Sequence, residues 1–509
     1  MKKILYLTII VTAGFLAACK KSSKTPVDTL PTRINHDELN RIKDSVYLFT
    51  KEAYLWYDAI PDMATFNPHS FAASTDVGEL TSEVDALSQY KINPATSKPY
   101  EYYPSDPGTA KYSFIDDGTV SGELGGTNGD YGFSVLYQEK TDLRIKYVYP
   151  GSAADKAGVK RGYQITKINS RTDIDYDNSN GPNLTYVVNA IFNSKAVNLT
   201  LRRPDNTTFD VSLNAGNYTI NPVLTYKTID LGNDKKVGYI VFNTFTVPDN
   251  AGPQLLKAFN QFTTDKITDL VVDLRYNGGG SVATAQYLDD LIVPTAKNGT
   301  EMFTEYYNDK LQNDIYPMLS KKYKIDKGDF APANNRANFA KVGTLDISRV
   351  FFIITGSTAS ASELTINNLR PHMDVRYIGS TSYGKPVGFF AIDIGQFQLY
   401  VPEFETKNSA GVGGYYAGMT PGTTDYPGKI DDDDVTKDFG DTTEVLLNHA
   451  INYIKRGVYD VAGPKVQSLS KSTTMTADQK RQMTLKLDEH LFKGMVGKKN
   501  LVLKELPRK

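Results

Sequence analysis

The chain has 509 residues, a length that at about 150 residues per domain predicts roughly three domains. Its 40% hydrophobic and 23% charged residues are a globular composition, which disfavours both wholesale disorder and a multi-span membrane protein. Lys+Arg 57 against Asp+Glu 58 gives a net charge of -1, so no bulk field exists to hold nucleic acid, and the single cysteine, Cys19, excludes internal disulfides and multi-cysteine zinc sites.

Lys2 and Lys3 open the chain, residues 4–18 form an apolar run too short to span a membrane as a mature helix, and Leu16-Ala17-Ala18-Cys19 closes it with small residues. This pattern resembles a bacterial lipoprotein signal. The resemblance implies removal of residues 1–18, a lipid on Cys19, a tether over residues 19–35 that includes the polar stretch Lys20–Lys24, and a membrane-anchored location in the cell envelope. The lack of an early acidic cluster after Cys19 leans toward a periplasm-facing protein. An ordinary secretory signal with an incidental cysteine is the alternative.

From His36, Leu39, Ile42, Val46, Phe49, Ala53 and Trp56 recur at the period of one helix face, and Pro61 is the expected stop. Residues 36–117 are therefore read as a helical N-terminal region whose many aromatic residues pack rather than bind.

Residues 118–217 form the next unit. Leu143–Val148 alternates as a strand, Pro150-Gly151-Ser152 turns the chain, Ala153–Val159 reads as a short helix closed by Gly158, and Gln164–Asn169 is a strand. The run from Tyr149 to Asn169 resembles a PDZ domain, except that Gly162-Tyr163 stands where that family usually has Gly-Asp. The resemblance implies a groove that takes an extended peptide by strand addition and holds its terminal carboxylate, with Asp130-Tyr131-Gly132-Phe133 as the cradle, Gly132 admitting the backbone and Phe133 lining the pocket for an apolar terminal side chain. A rigid spacer is the alternative.

Residues 218–457 read as an α/β core: strands at Val237–Phe242, Leu270–Leu274 and Val350–Ile354, a helix marked by Leu255, Leu256, Phe259 and Phe262, a helix through Leu369, and a last helix from Thr442 to Arg456 with Asp441 and Glu444 as a capping box and Gly457 as the stop. Residues 458–509 read as a polar, lysine-rich tail.

Three pieces of this core suggest chemistry. Asp273-Leu274-Arg275-Tyr276-Asn277-Gly278-Gly279-Gly280 runs a strand into glycines, which can aim bare N–H groups at one spot. Ser357–Glu363 joins a strand to a helix and puts Ser360 at a helix N-terminus, where a developing anion is stabilised and where an N-cap serine is the plainer reading. Tyr383-Gly384-Lys385-Pro386 holds a lysine that can act as a base only if burial lowers its pKa.

Together these motifs resemble the tail-specific, or C-terminal processing, serine peptidase family, of which a PDZ unit is the usual companion. The resemblance implies a crotonase-like α/β fold, Ser360 as nucleophile, Lys385 as general base, the N–H groups of Gly279 and Ala361 as oxyanion hole, polypeptide substrates and no cofactor or metal. The family commonly has a glutamine four residues after the lysine, and here Phe389 stands there, so either Ser382, Gln396 or Gln398 orients the amine instead or the lysine is positioned more loosely. A serine–histidine triad fits less well, because only His372 lies near the motifs. Asp173, Asp175 and Asp177 lack the rest of a calcium loop, and Asp431–Asp434 reads as a solvated run. A non-catalytic protein holding peptide or an apolar ligand on the same fold, and a hydrolase of non-peptide esters, remain as alternatives.

Overall fold

Helix α1, His36–Ala53, starts where Asn35 accepts a hydrogen bond from the Glu38 N–H. The structure is a computed structural model that describes residues 33–460 together with residues 480, 483, 484, 486–488, 492–497 and 502–503; Cys19 and the signal-like segment lie outside the described residues. Leu39, Ile42, Val46, Phe49 and Ala53 are buried along one face of α1 as their spacing predicts. The helix ends at Tyr54, in extended conformation, well before Pro61. Helix α2, Asp76–Ser88, which the sequence reading did not mark, is capped by Thr75 and packs on α1 through Leu80, Val84 and Leu87, with the Lys43–Glu79 ion pair (2.6 Å) between the two.

Strands β1 (Phe133–Glu139), β2 (Asp142–Val148) and β3 (Gln164–Ile168), helix α3 (Pro182–Phe192), and strands β4 (Ala196–Arg202) and β5 (Thr208–Asn214) follow. The strands make an antiparallel sheet in the order β1-β2-β3-β4-β5. The short helix Ala153–Lys156 sits in the β2–β3 connection, capped by Ser152. This unit has its own apolar cluster, with Val135, Ile145, Ile168, Leu184, Val187 and Leu199 at its centre.

The rest of the chain builds an α/β layer structure. In order it runs β6 (Val223–Asp230), β7 (Lys236–Phe242), α4 (Pro248–Asp265), β8 (Asp269–Asp273), β9 (Gly279–Ser281), α5 (Val282–Ile292), β10 (Glu301–Tyr307), β11 (Arg336–Asn338), β12 (Arg349–Ile354), α6 (Ala361–Leu369), β13 (Asp374–Gly379), β14 (Val387–Gly388), β15 (Phe404–Asn408), β16 (Gly428–Ile430), α7 (Val445–Arg456) and β17 (Gly494–Val496). The main sheet has the order β6-β7-β8-β12-β13-β16 and is parallel from β7 onward. β8 and β12 are covered on both faces, which is why they read as unbroken apolar runs. Ile240, Leu270, Val272, Phe352 and Ile354 face α4, α5 and α6. Tyr239, Val271, Phe351 and Ile353 face Leu446, Leu447 and Ala450 of α7. A second sheet, β11-β10-β15-β14, flanks this core.

The last helix departs from expectation at its start. Glu444, whose carboxylate accepts from the Leu447 N–H (2.9 Å), is the cap, while Asp441 is turned onto Thr443; Gly457 ends the helix with a left-handed φ of 73°.

Candidate active site

The carboxyl ends of β8 and β12 open onto the same point, the usual place for a site in a parallel sheet. From β8 the chain runs to Asn277, whose fully buried side chain donates to Phe242 O (2.8 Å) and accepts from the Gly279 N–H (2.9 Å). The backbone carbonyl of Asn277 accepts from the Ala359 N–H and the Ser362 hydroxyl, both at 3.0 Å. One asparagine thus ties the glycine turn to the serine loop. Gly279, at φ 106°, leaves space that a Cβ would close, 2.9 Å from both Ala359 O and Ala361 N.

From β12 the chain reaches Ser360 at the head of α6. Its backbone is at φ 61°, ψ -109°, a left-handed conformation that a non-glycine residue adopts only under constraint. Its hydroxyl is buried and has no hydrogen-bond partner among the described residues. An ordinary N-cap serine spends its hydroxyl on the helix end; here the Ser360 N–H carries the conventional bond, to Glu363 (2.9 Å). Ala361 is the first residue of α6, so its N–H has no acceptor within the helix.

Lys385 is fully buried, and burial holds its amine well below the usual lysine range, aided by Lys111 and Lys493 and opposed by Glu101 and Glu363. Its Nζ lies 3.9 Å from the centre of the Phe389 ring and donates to the backbone carbonyl of Lys493. Its backbone N–H donates to the same Glu363 oxygen that takes the Ser360 N–H, at 2.8 and 2.9 Å. The two amide nitrogens can be no further apart than those lengths laid end to end, so the structure brings Ser360 and Lys385 together. The other Glu363 oxygen accepts from Gly384 N–H (2.8 Å) and the Ser382 hydroxyl. Tyr112 fixes the same turn by donating its hydroxyl to Gly384 O (2.7 Å).

None of the three residues expected to orient the lysine amine does so. Ser382 serves Glu363 and the Met419 N–H, Gln398 bonds Asp393, Ser121 and Tyr400, and Gln396 is exposed. Phe389, in place of the family glutamine, covers the amine with its ring instead. Glu363, which binds both motif loops, was not singled out from the sequence, although its spacing three residues after Ser360 is the capping-box signal.

The cleft between these loops holds β17. Gly279–Ser281 pairs in parallel with Gly494–Val496, the Gly494 N–H donating to Gly278 O (3.1 Å). On the other edge, Phe389 N–H donates to Met495 O (2.8 Å) and Gly497 N–H to Phe389 O (2.7 Å). Met495 is fully buried, as are Met483 and Leu487, which pack into the cluster of the antiparallel sheet. The polar reading of the tail therefore fails at these residues.

The remaining sequence candidates sit as follows. Gly132 (φ 81°) donates its N–H to Asp130 (2.7 Å), and a Cβ there would overlap the Ser152 side chain. Phe133 is buried in the core of its own sheet. In this state the expected cradle is a packed turn, its Gly132 N–H already taken. Asp433 is no solvated residue, because Arg161, Arg275 and the Tyr276 hydroxyl all bind it and hold its carboxyl at about 2 against the opposing effect of burial. Asp431 binds His449 (2.9 Å). His372 packs on Phe339 and bonds Ser409. Asp177 accepts backbone N–H groups of Asn178, Asn183 and Leu184.

Residues 236–411, which contain Gly279, Ser360 and Lys385, match the family model described as Peptidase family S41. A CtpA-like serine protease of Staphylococcus haemolyticus is 24% identical over 293 residues, 57% of this chain and 49% of that protein. A carboxyl-terminal-processing protease of Picosynechococcus is 32% identical over 164 residues, 32% of this chain and 37% of that protein. The chain thus spans half or less of the length of these curated relatives. The fold is similar to that of a protein described as an S41 protease from Bacteroides fragilis, with a TM-score of 0.54 and 24% identity over 81% of this chain and 97% of that one. Residues 236–411 thus resemble a peptidase domain of family S41, and the relatives matched are described as CtpA-like serine and carboxyl-terminal-processing proteases.

Proposed function

We propose that the protein is a lipid-anchored serine endopeptidase that cleaves polypeptides with a Ser360–Lys385 dyad. The observation that carries this reading is a buried, unpartnered serine hydroxyl on a strained backbone at a helix start, held by one carboxylate beside a buried lysine whose amine is biased toward the neutral form. Neutral Lys385 Nζ takes the Ser360 hydroxyl proton as Oγ bonds the scissile carbonyl carbon. The carbonyl oxygen becomes an oxyanion against the N–H groups of Ala361 and Gly279, at the positive end of α6. The lysine then gives its proton to the leaving amine, the C–N bond breaks, and water, activated by the same lysine, releases the acyl group. Gly279 N–H must leave Asn277 Oδ1, and Lys385 Nζ must leave Lys493 O, for this to run.

The antiparallel sheet β1–β5, preceding the core as a PDZ unit does in the resembling family, is proposed to receive substrate C-termini or unfolded segments by strand addition. A second reading, a non-catalytic peptide-binding protein, draws support from Phe389 in the glutamine position. A fluorophosphonate label separates the two: wild type is expected to label and Ser360→Ala not to, while peptide cleavage by purified Ser360→Ala sinks the assignment. The lipid anchor is tested by Cys19→Ser, expected to turn membrane-pelleting protein into precursor or soluble material; identical fractionation refutes it.

A further inference from the structure

The strand β17 lies between the glycine loop and Phe389, beside the serine and lysine loops. It is bonded through its main chain on both edges, to the glycine loop at Gly278 and to Phe389 beyond the lysine loop. That two-sided pairing is how an extended peptide is recognised by strand addition, with main-chain bonds giving affinity and side-chain pockets giving selectivity. Three further observations bear on its effect. Ser360 and Lys385 are both fully buried with the strand in place, so no second peptide can reach them. The Lys385 amine, which has to face Ser360 to act, is held on the strand's Lys493 carbonyl. And a Cβ on Gly279 would run into Gly494 O and lie 2.9 Å from Ala361 N, which puts that tail carbonyl beside the N–H expected to face an oxyanion.

The segment is also clamped from behind. The Asp488 carboxylate is buried between Lys146 of β2 and the hydroxyl of Ser357, and Lys493 Nζ donates to Asp488 O (2.6 Å). The clamp joins the antiparallel sheet, the serine loop and the tail at one point.

We infer that Phe492–Gly497 is an intramolecular occupant of the substrate cleft, so that the chain as folded is latent, and that true substrates bind in its register as extended peptide with an apolar side chain in the pocket filled by Met495. The inference rests on the peptidase reading for its consequence, but not for the occupancy itself. The surroundings are apolar, because Met495 is fully buried in the same apolar cluster as Phe389, Val387 and Phe404. Glycine at the preceding position lets the tail fold its own Phe492 ring against Gly494, where a Cβ would overlap it. A tethered strand acts at an effective concentration on the order of 1 mM, so even a segment that binds in trans at about 100 µM keeps the cleft closed about nine-tenths of the time.

The test uses two variants of the chain: Met495→Asp, and a stop after Asp488 that keeps Met483, Leu487 and the Lys146–Asp488 pair. Ser360 reactivity is read with a fluorophosphonate, and cleft access with a fluorescein-labelled peptide of residues 490–499, measured by anisotropy in a Ser360→Ala background. Both variants are expected to label about tenfold faster than the parent and to bind the peptide, which the parent does not. Added unlabelled peptide should return the shortened chain to the slow rate. Equal labelling rates with no peptide binding by either variant, both melting cooperatively, overturn the inference. Peptide binding without any labelling or cleavage upholds the occupancy and refutes the peptidase reading instead.

Discussion

Glu363 is where the two motif loops meet, and its replacement gives the sharpest test of how the site is held. Each carboxylate oxygen takes two donors, one the N–H groups of Ser360 and Lys385, the other the Gly384 N–H and the Ser382 hydroxyl. In Glu363→Gln only one oxygen remains. The amide N–H₂ fits best toward Ser382, whose hydroxyl can turn and accept, which leaves the Gly384 N–H without a partner. One lost charge-assisted bond costs about 1.5–3 kcal/mol and one orphaned buried N–H about 1–3 kcal/mol. Burial pushes the Glu363 carboxyl up, so removing the charge recovers part of this, and a net loss of about 2–4 kcal/mol is expected. Glu363→Ala orphans three backbone N–H groups and should cost more. Both loops then relax, and because misplacement of a nucleophile by about 1 Å can cost about a hundredfold, kcat on a short peptide should fall 10- to 100-fold with KM little changed. Urea unfolding reads the stability and fluorophosphonate labelling the geometry. Glu363→Ala unfolding within about 1 kcal/mol of the parent and labelling at the parent rate would refute the role assigned to this carboxylate.

Ser360→Ala removes an unpartnered hydroxyl while keeping the strained backbone, so activity should vanish with stability changed by no more than about 1 kcal/mol in urea unfolding. Lys385 is depressed in the fold and ordinary in the unfolded chain, so the unfolded state binds the extra proton; stability should rise with pH between its folded value and the usual lysine range, and this slope should disappear in Lys385→Met. For Asp488 burial alone would raise the carboxyl, but Lys146 and Lys493 outweigh it and hold it below the usual aspartate range. Its stabilising contribution is therefore complete above that range and lost as pH falls through the folded value, and Asp488→Asn, which strands buried Lys146, should cost about 3–5 kcal/mol by thermal or urea unfolding. Gly132→Ala places a Cβ on Ser152 at a left-handed φ, so it should lower Tm and reduce turnover of long and short substrates alike; selective loss on long substrates would restore the cradle reading.

The local sequence was enough to settle what depends on period and on residue chemistry. The helix face from Leu39 to Ala53, the buried runs of β8 and β12, and the Gly457 stop are legible because burial on one stripe, burial on two faces and a left-handed cap each leave a direct mark on residue type. The glycine turn is legible for the same reason, since φ 106° at Gly279 and 136° at Gly280 are backbone conformations that few residues other than glycine tolerate. What the sequence could not decide depends on partners far along the chain. Asp433 looked like part of a solvated run until Arg161 and Arg275, 272 and 158 residues away, were folded onto it. Phe389 looked like a lost orienting residue and is instead the ring that desolvates the Lys385 amine. The tail read as polar because Met483 and Leu487, although one helical turn apart, make too short an apolar pattern among charged residues to mark a face, and Met495 lies outside it; only closure of a chain loop of more than a hundred residues, between Lys385 and Lys493, brings its carbonyl to the lysine. Such contacts are fixed by the free energy of the whole fold, and no window of sequence short enough to read holds both partners.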